Sequence, residues 1–153
     1  PMQPREKYPQ VLATSDVSLV TLKRAVRTPV VPSKLLSIMA SGRPAVVAMN
    51  PTGDAPRLVE EADCGLCVAP EDPQQMATAI SALYHDRALR ARMGDNGKNY
   101  ARAHFSLPAC ARAYETIFAD AVDGKLTAAA DMGAACPRRE DTSIGHAKRK
   151  EAT

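Results

Sequence analysis

Residues 29–50, PVVPSKLLSIMASGRPAVVAMN, constrain the fold more than any other part of the chain. They read as a loop, a helix opening near Ser33, a tight turn and a buried strand. Pro32 stands in the first helical turn, where a missing N–H loses no intrahelical bond. Leu35, Leu36 and Met39 form an apolar patch at helical spacing. Gly42 ends the helix, because glycine reaches positive φ without a steric penalty. The run 45–49, AVVAM, is too short and too β-branched for a helix. A strand apolar on both sides implies helices on both faces of a sheet.

The flanking segments extend this pattern. Residues 4–16 suggest a short helix, with Pro9 near its start and Val11 and Leu12 facing inward. Asp16 precedes the strand VSLVTL and is suited to hydrogen-bonding a neighbouring backbone group. After the second strand, NPTGD is a turn cluster, with Asp54 as helix cap and Pro56 in the first turn. Leu58, Val59 and Ala62 supply that helix's inner face. A third strand covers 64–69. Asp72 and Pro73 open another helix, in which Met76, Ile80, Leu83 and Tyr84 repeat at helical spacing. Residues 87–105 continue as helix, with a break expected near Gly94 and Gly97. A last helix over 106–122 carries Leu107, Cys110, Tyr114, Ile117, Phe118 and Ala121 on one stripe, and Gly124 closes it. The remaining stretch is small, polar and without periodicity, and reads as a disordered tail over 125–153.

Strands alternating with helices predict an α/β fold with a parallel sheet and right-handed crossovers. A chain of 153 residues suits one domain, and 45% hydrophobic content suffices for a core. Aromatic residues are only 4%, so that core must be aliphatic. A net charge of +3 gives no nucleic-acid signature. No apolar run approaches membrane-spanning length. The chain opens on Pro without a signal-peptide pattern, which suggests a fragment or a processed form.

Cys64 and Cys67 make a C-x-x-C pair, which invites a redox or zinc reading. Residues three apart on a strand point to opposite faces, and no second cysteine pair or histidine cluster follows. Buried structural thiols in a reducing compartment are therefore expected. His85 and His104 lie in helical segments without acidic or serine partners, and are given no catalytic role.

The central helix start has chemical potential. Its first amides lack intrahelical partners and sit at the positive end of the helix dipole. Such an end receives phosphate well. Between positions 17 and 53 there is no Asp or Glu, whereas Lys23, Arg24, Arg27, Lys34 and Arg43 are basic. That stretch offers no carboxylate for a divalent ion, so no metal is expected.

The runs SDVSLVTL, VPSKLLSIMASGRPAVVA and RLVEEADCGLCVAPEDP together resemble the C-terminal domain of glycosyltransferase family 4. The likeness is greatest to bacterial exopolysaccharide enzymes of the colanic-acid type, and covers roughly residues 4–118. It implies a GT-B enzyme, in which two Rossmann-like domains flank a cleft and the second holds a nucleotide-diphosphate sugar. The chain would then be a partial Rossmann-like sheet, an incomplete nucleotide-sugar-binding domain over 1–124. The earlier strands of that domain and the whole acceptor-binding domain would precede it.

The resemblance also assigns a site. The family marks its donor loop with two glutamates, one for the donor sugar and one for the ribose. Here these positions hold Pro29 and Ser37, so sugar and ribose recognition depart from the pattern. The loop-helix frame remains. The amides of Ser33, Lys34 and Leu35 are expected to face the donor diphosphate, with the Lys34 ammonium adding charge. Ser37 is expected near the ribose, and the Gly53–Asp54 turn near the sugar. No catalytic residue is assigned and no cofactor is implied beyond the nucleotide sugar itself. The implied acceptor is a glycan or lipid-linked sugar, in the cytoplasm at the inner membrane face. Membrane association would run through the missing N-terminal domain. A non-catalytic nucleotide- or anion-binding remnant is the alternative, and a nucleotide-sugar epimerase a more distant one.

Overall fold

A computed structural model describes residues 4–26 and 30–125. After a short 3-10 turn at Arg5–Lys7, helix α1 (Tyr8–Thr14) leads to strand β1 (Ser18–Thr21). Helix α2 (Ser33–Ala40), strand β2 (Ala45–Ala48), helix α3 (Asp54–Glu61) and strand β3 (Gly65–Val68) follow. The chain ends in helices α4 (Pro73–His85), α5 (Arg87–Phe105) and α6 (Leu107–Val122). Packing separates a first unit, Pro1–Arg112, from a second, Ala113–Thr153. The sheet lies wholly in the first. The expected tail, apart from Lys125, falls outside the described residues, as do Arg27 and Pro29.

The three strands form a parallel sheet in the order β1-β2-β3. Ser18, Ala45 and Gly65 align across it, and so do Thr21, Ala48 and Val68. Sequential order with right-handed crossovers puts α2 and α3 on one face. There Leu35, Ile38, Met39 and Val59 bury their side chains completely or nearly so against Val20, Ala45 and Val47. The opposite face of β2 presents Val46, which packs with Ala79, Leu83 and Met93 of α4 and α5. Every residue of β2 is buried, as its uniform apolarity required.

Helix α2 ends as expected. Gly42 takes φ +71°. Its amide donates to the Met39 carbonyl at 2.9 Å and the Arg43 amide to Ile38 at 3.3 Å. This pair of bonds is a Schellman motif, which absorbs carbonyls that a helix end leaves free. Asp72 also behaves as expected, its carboxylate accepting from the Gln75 amide at 2.9 Å with Pro73 in the first turn.

Several local expectations are corrected. Helix α5 is unbroken, and its glycines serve close packing instead. A Cβ at Gly94 would stand 2.3 Å from the Gly42 carbonyl oxygen, a separation no side chain tolerates. Asp54 is not a cap: Gly53 holds that position, and Asp54 pairs with Arg57 one turn on, at 2.9 Å. Pro32 is itself the residue preceding the helix, with φ −61° and ψ 133°. Val11 is 48% exposed, so only Leu12 of that pair faces the core. Cys64 and Cys67 do not face opposite ways. Cys64 precedes β3 rather than lying in it, and both pack into the cluster beneath α2 and α3. In α6, none of the residues is buried, and Leu107, Tyr114, Ile117 and Phe118 stand exposed.

Candidate functional site

In a parallel sheet every strand runs to the same end, and the helices that follow begin there. The starts of α2, α3 and α4 therefore gather at the carboxyl end of β1, β2 and β3. Ligands of open α/β sheets bind at this end. A cleft of about 420 Å³ opens there, lined by Thr21, Leu22, Lys23, Ala48, Glu71 and Met76 among others.

The start of α2 carries no side-chain cap, since Pro32 has no oxygen or nitrogen to offer. The Leu35 amide is not free: it donates to the Pro32 carbonyl at 2.9 Å. That leaves Ser33 and Lys34, whose amides have no partner among the described residues. The Lys34 side chain is exposed and likewise unpaired among the described residues. The Leu35 side chain is wholly buried and fixes the helix against the sheet. Ser37 donates its hydroxyl to the Ser33 carbonyl at 3.1 Å, one turn back. Its oxygen keeps acceptor capacity.

Gly53 and Asp54 lie at the start of α3, at the same end of the sheet. The Gly53 amide is bound to the Asn50 carbonyl at 2.9 Å. Asn50 also accepts from the Thr52 amide and hydroxyl, at 3.2 and 2.9 Å. The turn is thus shaped by its own hydrogen bonds, and the Asp54 carboxylate is engaged by Arg57.

The basic cluster seen in the sequence is dispersed in space. Arg43 follows the carboxyl end of α2, so it lies at the opposite end of the sheet, donating to the Ala13 carbonyl. Arg24 turns toward the β3–α4 loop. Its guanidinium donates to the Pro70 carbonyl at 3.1 Å and stands 3.8 Å from the Glu71 carboxylate. Lys23 lines the cleft. Nor is the region free of acid. Glu71 and Asp72 approach from a distant part of the chain, which the acid-free run could not reveal. Glu71 adopts φ +61°, a left-handed backbone rarely taken by glutamate.

Other residues singled out in the sequence have ordinary settings. The Asp16 carboxylate lies 3.9 Å from Arg90. His85 stands edge-on to Tyr84, and His104 lies against Tyr100 with ring centres 4.2 Å apart. Burial pushes the Cys64 thiol up to about 11. Burial first, and the Glu60 charge second, push Cys67 up to about 12. Both thiols are free and stay protonated at neutral pH, which disfavours nucleophilic or redox use. Among the described residues, no helix is long and apolar enough to cross a membrane.

Residues 1–100 match the family described as glycosyl transferases group 1. The chain belongs to this family. It is 32% identical over 111 residues to a D-inositol 3-phosphate glycosyltransferase of Corynebacterium glutamicum, covering 68% of this chain and 26% of that protein. The protein of the same description from Corynebacterium efficiens is 34% identical over 106 residues, covering 69% of this chain and 23% of its own length. The chain thus spans about a quarter of these relatives. In fold it is similar to HepE from Anabaena, solved in complex with UDP. That match has a TM-score of 0.59 and 22% identity, and covers 75% of this chain and 30% of HepE.

Proposed function

We propose that the chain is the donor-binding part of an enzyme that moves a sugar from a nucleotide-diphosphate sugar to a glycan or lipid-linked acceptor. The observation that carries this reading is the uncapped start of α2. There the Ser33 and Lys34 amides and the Lys34 ammonium have no partner among the described residues, at the end of the sheet to which the strands run. Membership of the group 1 glycosyl transferases supports it, and a nucleoside diphosphate on HepE supports the donor class.

The chemistry follows from charge. As the bond from sugar to diphosphate breaks, negative charge gathers on the departing phosphate oxygens. Oriented N–H groups and a fixed cation stabilise that charge without reorganising. In this reading the Ser33 and Lys34 amides donate to the β-phosphate oxygens, and the Lys34 ammonium adds charge. Leu35 serves as an anchor rather than a donor, since its amide is engaged. Ser37 accepts from a ribose hydroxyl while its own proton stays on Ser33. The Gly53–Asp54 turn borders the sugar. The motif set further favours family 4 and an exopolysaccharide product assembled in the cytoplasm at the inner membrane face.

The test is titration with uridine and guanosine diphosphates. Lys34→Ala should weaken binding about tenfold or more, the effect of losing one charge-assisted contact. It should leave the melting temperature unchanged, because the side chain is exposed. Unaltered affinity would remove Lys34 from the site. One observation favours the alternative of a non-catalytic remnant: Ser37, in place of an acid, hydrogen-bonds its own helix. A fold remnant that has lost the site would show no saturable binding to either diphosphate, and a non-catalytic binding module would bind them without transferring sugar.

A further inference from the structure

Arg24 fastens the β1–α2 loop to Pro70 and Glu71 of the β3–α4 loop. Arg24 reaches the second loop three ways. Its backbone amide donates to Glu71 Oε1 at 3.4 Å, its Nη2 donates to the Pro70 carbonyl at 3.1 Å, and its Nε lies 3.8 Å from Glu71 Oε2. The neighbouring bonds are local or follow the sheet: Leu22 donates to the Ala48 carbonyl, and Val26 to Lys23. Glu71 holds its carboxylate there from a left-handed backbone at φ +61°. A residue with a Cβ pays a steric penalty in that conformation, and glycine does not. Strain of this kind persists where the surroundings over-determine it, and it concentrates at ligand clamps. Lys23, next to Arg24, and Glu71 itself both line the cleft at the strand ends.

We propose that Glu71 is a positioning residue for the donor: through Arg24 it fixes residues 22–26, and so the cleft wall carrying Lys23, against the β3–α4 loop. The role rests on the donor reading given above. Glu71 touches no phosphate in this account. It acts by limiting the positions open to the wall, which lowers the ordering cost of binding.

The variant that separates clamp from scaffold is Glu71→Gly. It removes the carboxylate and also relieves the left-handed backbone. Melting temperature should hold or rise, while affinity for uridine diphosphate should fall about threefold to fivefold, the scale of an exposed ion pair. Amide exchange at Arg24 and Val26 should quicken in the same variant without ligand. The exchanged pair Arg24→Glu with Glu71→Arg should recover part of the affinity, which a purely structural loss would not. Unchanged exchange at Arg24 would overturn the clamp. Quickened exchange with unchanged affinity would overturn its role toward the donor. If the unaltered chain bound no nucleoside diphosphate while Glu71→Gly still quickened exchange, the donor reading would fail and the clamp alone would stand.

Discussion

The two ends of helix α2 are built on opposite terms. At its carboxyl end, Gly42 and Arg43 return their amides to Met39 and Ile38, and Gly94 of α5 lies so close that only hydrogen fits between. At its amino end Pro32 gives no side-chain cap, and the Ser33 and Lys34 amides are left open among the described residues. One end returns its backbone amides to the protein and the other leaves amide donors over. A helix end with spare donors and no acid in its first turn is suited to an external anion. Stability should therefore respond to changes at the closed end, and ligand affinity to changes at the open end.

The sharpest way to break that contrast is at Gly94. Gly94→Val should cost about 3 kcal/mol or more, since the new side chain meets backbone that cannot yield. Denaturant titration would read this as a lowered midpoint. A midpoint close to that of the unaltered chain would mean that α5 can slide on α2, and the closed end would lose its meaning. Gly42→Ala should cost less, about 1 kcal/mol, because it strains one left-handed residue without a backbone collision. In both variants the fraction still folded should bind uridine diphosphate as before. A loss of affinity in the folded Gly42→Ala protein would show that the two ends are coupled.

The closed end was the more legible in the sequence. The Ser41–Gly42 turn and the apolar run 45–49 each combine a local rule with a residue that obeys few others. The open end was legible only in part. The position of Ser33 and Lys34 followed from the pattern, but the engagement of the Leu35 amide by Pro32 depends on one dihedral that no composition rule fixes. Glu71 was invisible because it joins the site from the far side of β3, and because left-handed backbone is normally announced by glycine or asparagine. Arg43 misled for the converse reason, since adjacency in sequence put it near a helix whose far end it occupies. Gly94 and Gly97 read as breakers, whereas the tight approach of α5 to α2 makes them packing residues.

The Cys64 and Cys67 thiols, one buried and one half-buried, allow a pH prediction for the apolar face of the sheet under α2 and α3. Cys64 and Cys67 ionise in the unfolded chain near 9, but only near 11 and 12 when folded. A raised acid pKa means that the folded state keeps protons which the unfolded state releases. Stability from this source is complete below about pH 9 and declines as pH rises toward the folded values. The urea midpoint should thus fall between about pH 9 and 11, by less in a Cys64→Ala/Cys67→Ala variant than in the unaltered chain. Equal declines would show that these thiols do not govern the alkaline limb.

The smallest expected effect lies at Ser37, where the open end meets its own helix. Ser37→Ala removes a hydroxyl that bonds the Ser33 carbonyl, but alanine is the better helix former, so stability should be unchanged or slightly higher. If the oxygen also accepts from a ribose hydroxyl, affinity for uridine diphosphate should drop about twofold to threefold, the size of a neutral hydrogen bond. Inorganic pyrophosphate, which has no ribose, should bind both proteins alike. Equal losses with pyrophosphate would assign Ser37 to the phosphate cradle, and no loss with either would leave its hydroxyl serving only the helix.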